Sequence, residues 1–332
     1  MITRRGFVGG LVAAGLAGAR ARDASAELPP ETTRIRLVSP GAICLAPQFA
    51  AEDLLRAEGF TVVEYLKRPG VAGGEQALAS GEADVNINYA LRLVMRLDAG
   101  DPITVLGGVH TGCTVLFGSA RVQSIRDLKG RKIAVPDLSA GALQFSVAGI
   151  MLYQVGLDPR KDVEWVVHPA PEAMQLLADG KVDGFIGIPP HPQELRARKI
   201  GRVLVDTGRD RPWSQYFCCM VAANREFHRK HPVATKRAMR AILKGADLCS
   251  RDPEGVARLI VDRGHAASYE YAREAVRELD YRAWRTFDPE EAMRFYGLRL
   301  REAGLVASNP KKLIAEGTDW RIFRELRKEL KA

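Results

Sequence analysis

Apolar and polar residues alternate over residues 34–38 and the pattern stops at Ser39-Pro40-Gly41, which predicts a strand running into a loop. Pro47 suits the first turn of a helix over 47–58, closed by Gly59. A second strand follows over 61–66, a short helix over 75–80, a strand over 85–87, a helix over 89–98 and a strand over 103–109. Strands alternating with helices predict a parallel sheet covered by helices.

A second series begins near Arg121. A turn over 127–130 leads into a strand over 132–135 and a helix over 143–155. The pairs 163–167 and 171–178, then 182–186 and 192–197, repeat the alternation, and 203–205 closes it. Residues 216–223 are extended again. Everything beyond Phe227 reads as helix: 232–250, 253–263, 269–279 and 289–303, several opened by Pro. The second series is too short for an independent fold of the usual kind. The expected path therefore leaves a first lobe, builds a second and returns to finish the first. Lobe 1 is expected over 34–117 and 214–332 and lobe 2 over 122–208, with hinge crossings near 117–121 and 207–214.

The first 26 residues stand apart. Arg4-Arg5 precede a weakly hydrophobic run over 7–19, and Ala24-Ser25-Ala26 supplies small residues for cleavage before Glu27. The run has 13 residues, short of the ~20 that span a bilayer. This is the pattern of a twin-arginine-type signal peptide, which predicts a soluble, periplasmic mature chain. The first cysteine is Cys44, so nothing points to a lipid anchor.

Length and composition narrow the class further. A chain of 332 residues allows roughly two domains at ~150 residues each, and 46% hydrophobic with 27% charged residues is ordinary globular composition. Of the net charge of +9, +3 lies in the first 26 residues and the remaining +6 is spread along the chain without basic runs or interleaved aromatics, so no nucleic-acid partner is expected. Five cysteines (Cys44, Cys113, Cys218, Cys219, Cys249) in irregular spacing are no disulfide framework and read as buried small hydrophobes. A Cys44–Cys113 bridge is left open. Cys218 and Cys219 are expected on opposite faces of a strand.

In open α/β sheets, ligands sit at the carboxyl ends of strands beside helix N-termini. Lobe 1 then offers Ile43 and Cys44, Gly73, Asn88 and Tyr89, and His110 and Thr111 as ligand-binding residues. Lobe 2 offers Ser139, Ala140 and Gly141, then Gly187 and Pro189, and the returning strand brings Tyr216 and Phe217. Ser139-Ala140-Gly141 precedes a helix, so free N–H groups and the helix dipole favour an anion or carbonyl there. Ser139 and Asn88 also suit the capping of their own helices. Arg68 is the one arginine in these loops, which leans toward a small polar organic ligand, weakly anionic or neutral, over nitrate.

Asp127-Leu-Lys-Gly-Arg-Lys-Ile-Ala-Val-Pro136 resembles the opening of lobe 2 in the solute-binding proteins of ABC importers for nitrate, sulfonates, taurine and thiamine-pyrimidine precursors. The likeness continues in order through Gly156-Leu-Asp-Pro159, Leu177-Ala-Asp-Gly-Lys-Val-Asp-Gly-Phe185, Asn224-Arg-Glu-Phe227 and Arg251-Asp-Pro253. It implies an α/β type II periplasmic binding protein: two α/β lobes, a two-strand hinge, and a helical C-terminal tail on lobe 1. It also implies a monomer without a cofactor, which closes on a small-molecule ligand and docks on an ABC permease with its ATPase. Eukaryotic thiamine-pyrimidine synthases share the fold and carry a cysteine-rich iron motif; here that place reads Trp213-Ser-Gln-Tyr-Phe-Cys-Cys-Met220, out of register. G-x-S-x-G, H-E-x-x-H and P-loop motifs are absent, so neither an enzyme nor a metal protein is expected. A periplasmic sensor subunit is the other alternative. The role of Thr318-Asp-Trp320 is left between a docked terminal helix and a partner site.

Overall fold

The computed structural model describes residues 27–39, 42–68, 73–139 and 141–331. The expected signal peptide and Ala140 lie outside the described residues. Ten strands are described: β1 (Arg34–Ser39), β2 (Val62–Lys67), β3 (Val85–Tyr89), β4 (Ile103–Thr111), β5 (Val115–Gly118), β6 (Lys132–Val135), β7 (Glu164–Val167), β8 (Gly184–Gly187), β9 (Arg202–Asp206) and β10 (Phe217–Asn224).

In the first lobe β1 and β2 pair in parallel, and β10 lies between β3 and β4, antiparallel to both. Every residue of β3, β4 and β10 is buried, because helices cover both faces. Gly107 and Gly108 make this possible within β4. A Cβ on Gly107 would stand 2.5 Å from the Phe323 ring, and one on Gly108 would stand 2.3 Å from Phe217. The tail docks on this lobe. Val105 and Thr318 form a parallel bridge, the Asp319 N–H donates to Val105 O at 2.9 Å, and Phe323 of the Arg321–Glu329 helix packs over Gly107.

The second lobe is a five-stranded sheet in the order β7-β6-β8-β5-β9, with β6 parallel to β7 and β8, and β5 antiparallel to β8 and β9. Successive residues divide between its faces. Leu116, Ile133, Val135 and Ile186 join the main core, while Val115, Phe117, Ala134 and Phe185 form a second cluster with Met174, Leu177 and Leu195.

β5 corrects the sequence reading. Residues 115–118 pair with the second sheet, so the chain first passes between sheets at 112–114 and not at 117–121. The return follows β9, over 207–216. The two passages lie side by side, and a Cβ on Gly112 would stand 2.1 Å from Thr207 O.

Candidate functional site

An amide network fixes the strand ends of the first lobe. Asn86 Oδ1 accepts from the Val38 N–H at 2.9 Å, while Gln48 donates to Val38 O at 2.7 Å and accepts from the Ile87 N–H at 2.8 Å. Asn86 Nδ2 donates to Asn88 Oδ1 at 3.1 Å, and Asn88 Nδ2 returns a bond to Asn86 O at 3.1 Å. Asn88 therefore serves β3 and not the helix after it: Tyr89 is the residue at the helix N-cap, and no side chain caps it. Gly74 seats the Gly73–Ser80 helix on this network, since a Cβ there would fall 2.7 Å from Asn88 Oδ1. Gly73 is held as closely, 2.5 Å from Arg68 Cβ by the same measure.

That helix presents Glu75, wholly buried, to Arg92 in the first turn of the Ala90–Asp98 helix. Arg92 Nε stands 3.2 Å from Glu75 Oε1, with side-chain exposures of 7% and 0%. Burial raises the Glu75 pKa, and the Arg92 charge opposes that rise. Arg92 also reaches across the seam between lobes, where its Nη1 donates to Gly141 O. Gly141 has φ +90° and leads into the Leu143–Gln154 helix of the second lobe. Arg92 stands at the carboxyl end of β3 and Gly141 follows the carboxyl end of β6, the two ends where a ligand between such sheets is held. Counting loop residues alone misses Arg92; an arginine among Ala90, Leu91, Leu93 and Val94 is the signal that could have found it.

The second-lobe loop is built differently from expectation. Ser139 is exposed and caps no helix; its hydroxyl donates to Asp137 Oδ2 at 2.5 Å and its N–H to Asp137 Oδ1 at 2.8 Å. Those bonds, with the charge of Arg92, hold the Asp137 carboxyl below its usual pKa. Gly187 ends β8 opposite Val115. Pro189 joins Gly112, Gln193 and Glu278 around a cavity of ≈ 40 Å³, room for water and not for a solute. Gln193 Nε2 and Arg196 Nη2 both donate to Glu278 Oε2 there, at 2.9 and 2.5 Å, a second tie between lobes. A pocket of ≈ 510 Å³ beside Arg121, Lys199 and Arg202 opens at the amino ends of β8 and β9, the wrong end for ligand capture.

The remaining expected contacts gather inside the first lobe. Ile43 and Cys44 are buried in a single helical turn, and Cys44 Sγ lies 3.1 Å from Tyr89 Oη. His110 is fully buried; its Nδ1 bonds Thr111 O at 2.8 Å and its ring stands edge-on to Tyr281. Phe217, opposite Thr111, is buried against Phe287, and half-buried Tyr216 stacks on Phe295 at 4.1 Å, so both aromatics are engaged by the tail. Cys113 and Cys218 bring their sulfurs to 2.8 Å, and no disulfide is formed. Contrary to the alternation expected, Cys218 and Cys219 join one cluster, because β10 shifts register on either side of Cys219.

Two helix-covered lobes joined by paired passages, with charged and polar groups meeting at strand carboxyl ends, define a type II periplasmic binding fold. The chain belongs to the family described as NMT1/THI5 like, whose family model matches residues 51–256. Its fold is similar to that of the periplasmic nitrate-binding protein NrtA from Synechocystis PCC 6803 (TM-score 0.76, 15% identity, 91% of this chain and 90% of that one). It is also similar to the alkanesulfonate-binding protein SsuA from Xanthomonas axonopodis pv. citri bound to MOPS (TM-score 0.66, 16% identity, 87% and 99%). The desulfurization enzyme DSZB shares the fold too (TM-score 0.58, 16% identity, 90% and 100%). At these identities the likeness is one of fold. No curated protein sequence matches the chain. Among the described residues no helix is long and apolar enough to cross a membrane.

Proposed function

We propose that this chain is the solute-binding component of an ABC importer, exported to the periplasm by its first 26 residues, that captures a small polar organic solute between its lobes. In this reading lobe 1 spans 34–111 with 217–331 and lobe 2 spans 115–206, the monomer closes about the paired passages, and the closed form docks on a membrane permease with its ATPase. The observation that carries it is Arg92, a buried cation of lobe 1 whose guanidinium meets the Gly141 carbonyl of lobe 2. A solute oxygen that replaces that carbonyl gains contacts to both lobes, which is what favours closure. Glu75 offsets part of the Arg92 charge, so the pair favours a polar oxygen that accepts a hydrogen bond, such as that of a carboxylate, sulfonate or polar heterocycle, over a ligand held by net charge alone. Gly73, Ser139 and Gly187, at the adjoining strand ends, are the further residues proposed to meet the solute.

The test is a thermal-shift screen of the chain from Glu27 onward against sulfonates, nitrate, pyrimidines, flavins and aromatic carboxylates. A true solute at 100 times its Kd stabilises by ~2.7 kcal/mol. Calorimetric titration of Arg92→Met should then show that affinity lost; unchanged affinity moves the site elsewhere. The fold also serves a desulfurization enzyme, so the solute is recovered by mass spectrometry. Recovery unaltered is the expected result, and conversion would make this chain an enzyme.

A further inference from the structure

We infer that Cys44, His110 and Cys219 form a buried zinc(II) site inside the first lobe, apart from the solute seam. β10 lies between β3 and β4, with Cys219 opposite both Tyr89 and His110, and the one-turn helix after β1 delivers Cys44 to the same point. The two sulfurs and a ring nitrogen of His110 all lie within 4.8 Å of one another. Ligands at ~2.0–2.3 Å from a common ion are themselves no more than about 4.6 Å apart, so a small contraction completes the set.

The imidazole is already set for this role. Its Nδ1 is 2.8 Å from Thr111 O, a carbonyl that only accepts, so the proton sits on Nδ1 and Nε2 carries a bare lone pair. Nε2 is buried and has no hydrogen-bond partner, a costly state for a core histidine and the usual one for a metal ligand whose other nitrogen is tied to a carbonyl. Tyr281 packs edge-on against the ring, and the Tyr89 hydroxyl lies 3.1 Å from Cys44 Sγ, where it can donate to a thiolate.

Charge selects the ion. Zinc(II) with two thiolates and a neutral imidazole is uncharged, as a fully buried site requires, whereas copper(I) would leave a net negative charge. Cys219 also belongs to a second close group with Cys113 and Cys218, but a third thiolate would give the site a negative charge, so the fourth ligand expected is a neutral one, a water. Binding releases the two thiol protons to solvent and involves no redox change. All the donors are enclosed, so the ion enters as the chain folds or opens and is then held against chelators.

The whole chain, kept reduced, is refolded with zinc(II), passed over a chelating resin and assayed for metal. One retained equivalent is expected, and refolding with cobalt(II) instead should give the visible bands of a tetrahedral site with sulfur-to-cobalt charge transfer. His110→Gln should weaken binding by more than the about 10–100-fold typical of an outer-shell partner, and Cys44→Ser likewise. Cys249→Ser, outside both groups, should bind as the parent does. If the site variants fail to fold, the cobalt spectrum of the parent chain still decides. No retained metal, an octahedral spectrum without charge transfer, copper(I) bound to the exclusion of zinc, or equal uptake in His110→Gln each overturns the assignment.

Discussion

Thr114 and Thr207 clasp the two passages between the lobes. The Thr207 hydroxyl donates to Thr114 O at 2.8 Å and accepts from the Thr114 N–H at 2.9 Å, while the Thr207 N–H also donates to Thr114 O at 3.0 Å. Both side chains are buried, so the pair fixes the two passages to each other.

Thr207→Val keeps the shape and removes the hydroxyl, leaving the buried Thr114 N–H without its acceptor. An orphaned donor of this kind costs about 1–3 kcal/mol. Urea denaturation should show that loss, and Thr207→Ser, which keeps the oxygen, should recover most of it. Equal losses in the two variants would mean that the methyl group and not the clasp matters.

Glu75 gives the seam a pH dependence with a definite sign. Its folded pKa is raised by burial, so its contribution favours folding below the unfolded carboxyl pKa and is lost as pH rises through the folded value. Arg92 opposes that loss. Arg92→Met should therefore cost less at pH 5 than at pH 8, since burial favours the protonated Glu75 carboxyl, and the penalty should rise with pH toward the roughly 3–5 kcal/mol of a buried charge left alone. Glu75→Gln with Arg92→Met should remove most of the difference between the two pH values. A penalty independent of pH would show that water reaches the carboxylate.

The order of strands and helices was legible in the chain, since alternation, Pro at helix starts and Gly at helix ends are local signals. The ordered motifs from Asp127 to Pro253 carried the family. Strand β5 was not legible: Val115-Leu116-Phe117-Gly118 is a short buried run with no turn before it, and only pairing with β8 and β9 assigns it to a lobe. The seam was half legible. Gly141 stood out as a loop glycine before a helix, whereas Arg92 was hidden inside that helix's counterpart in lobe 1. The thiol cluster was illegible, because Cys44, Cys113 and Cys219 come from three segments that only the β3-β10-β4 pairing and its register shifts bring together. Asp137, two residues before Ser139, is a local signal that went unused.

Tail docking rests on the missing side chain at Gly107. A methyl there meets Met239 Cε and the Phe323 ring, both at 2.5 Å. Methionine can move aside and the ring cannot, so Gly107→Ala should destabilise by about 1–3 kcal/mol, the cost of overpacking. Adding Phe323→Leu should give back part of it, and a double-mutant cycle measures the coupling. Strict additivity would show that the tail helix does not bear on β4.

In the proposed site Gly141 would join backbone conformation to ligand capture, and Gly130 supplies the control. Both have positive φ, +90° and +70°, and a Cβ finds space at each: the nearest atom is Met95 Cε at 3.9 Å for Gly141, and nothing lies within 4 Å for Gly130. Alanine at either site should thus cost backbone strain without a packing clash, roughly 1–3 kcal/mol. Gly130 ends the turn before β6, away from the seam, and its strain should lower Tm and leave solute affinity intact. At Gly141 relief of the strain rotates the peptide whose carbonyl Arg92 holds, so Gly141→Ala should lower Tm by a similar amount and also weaken the solute that the thermal-shift screen identifies. Titration calorimetry on the two variants separates the effects. Equal affinities in both would detach the 137–141 loop from the solute and leave Arg92 with a purely structural role in holding the lobes together.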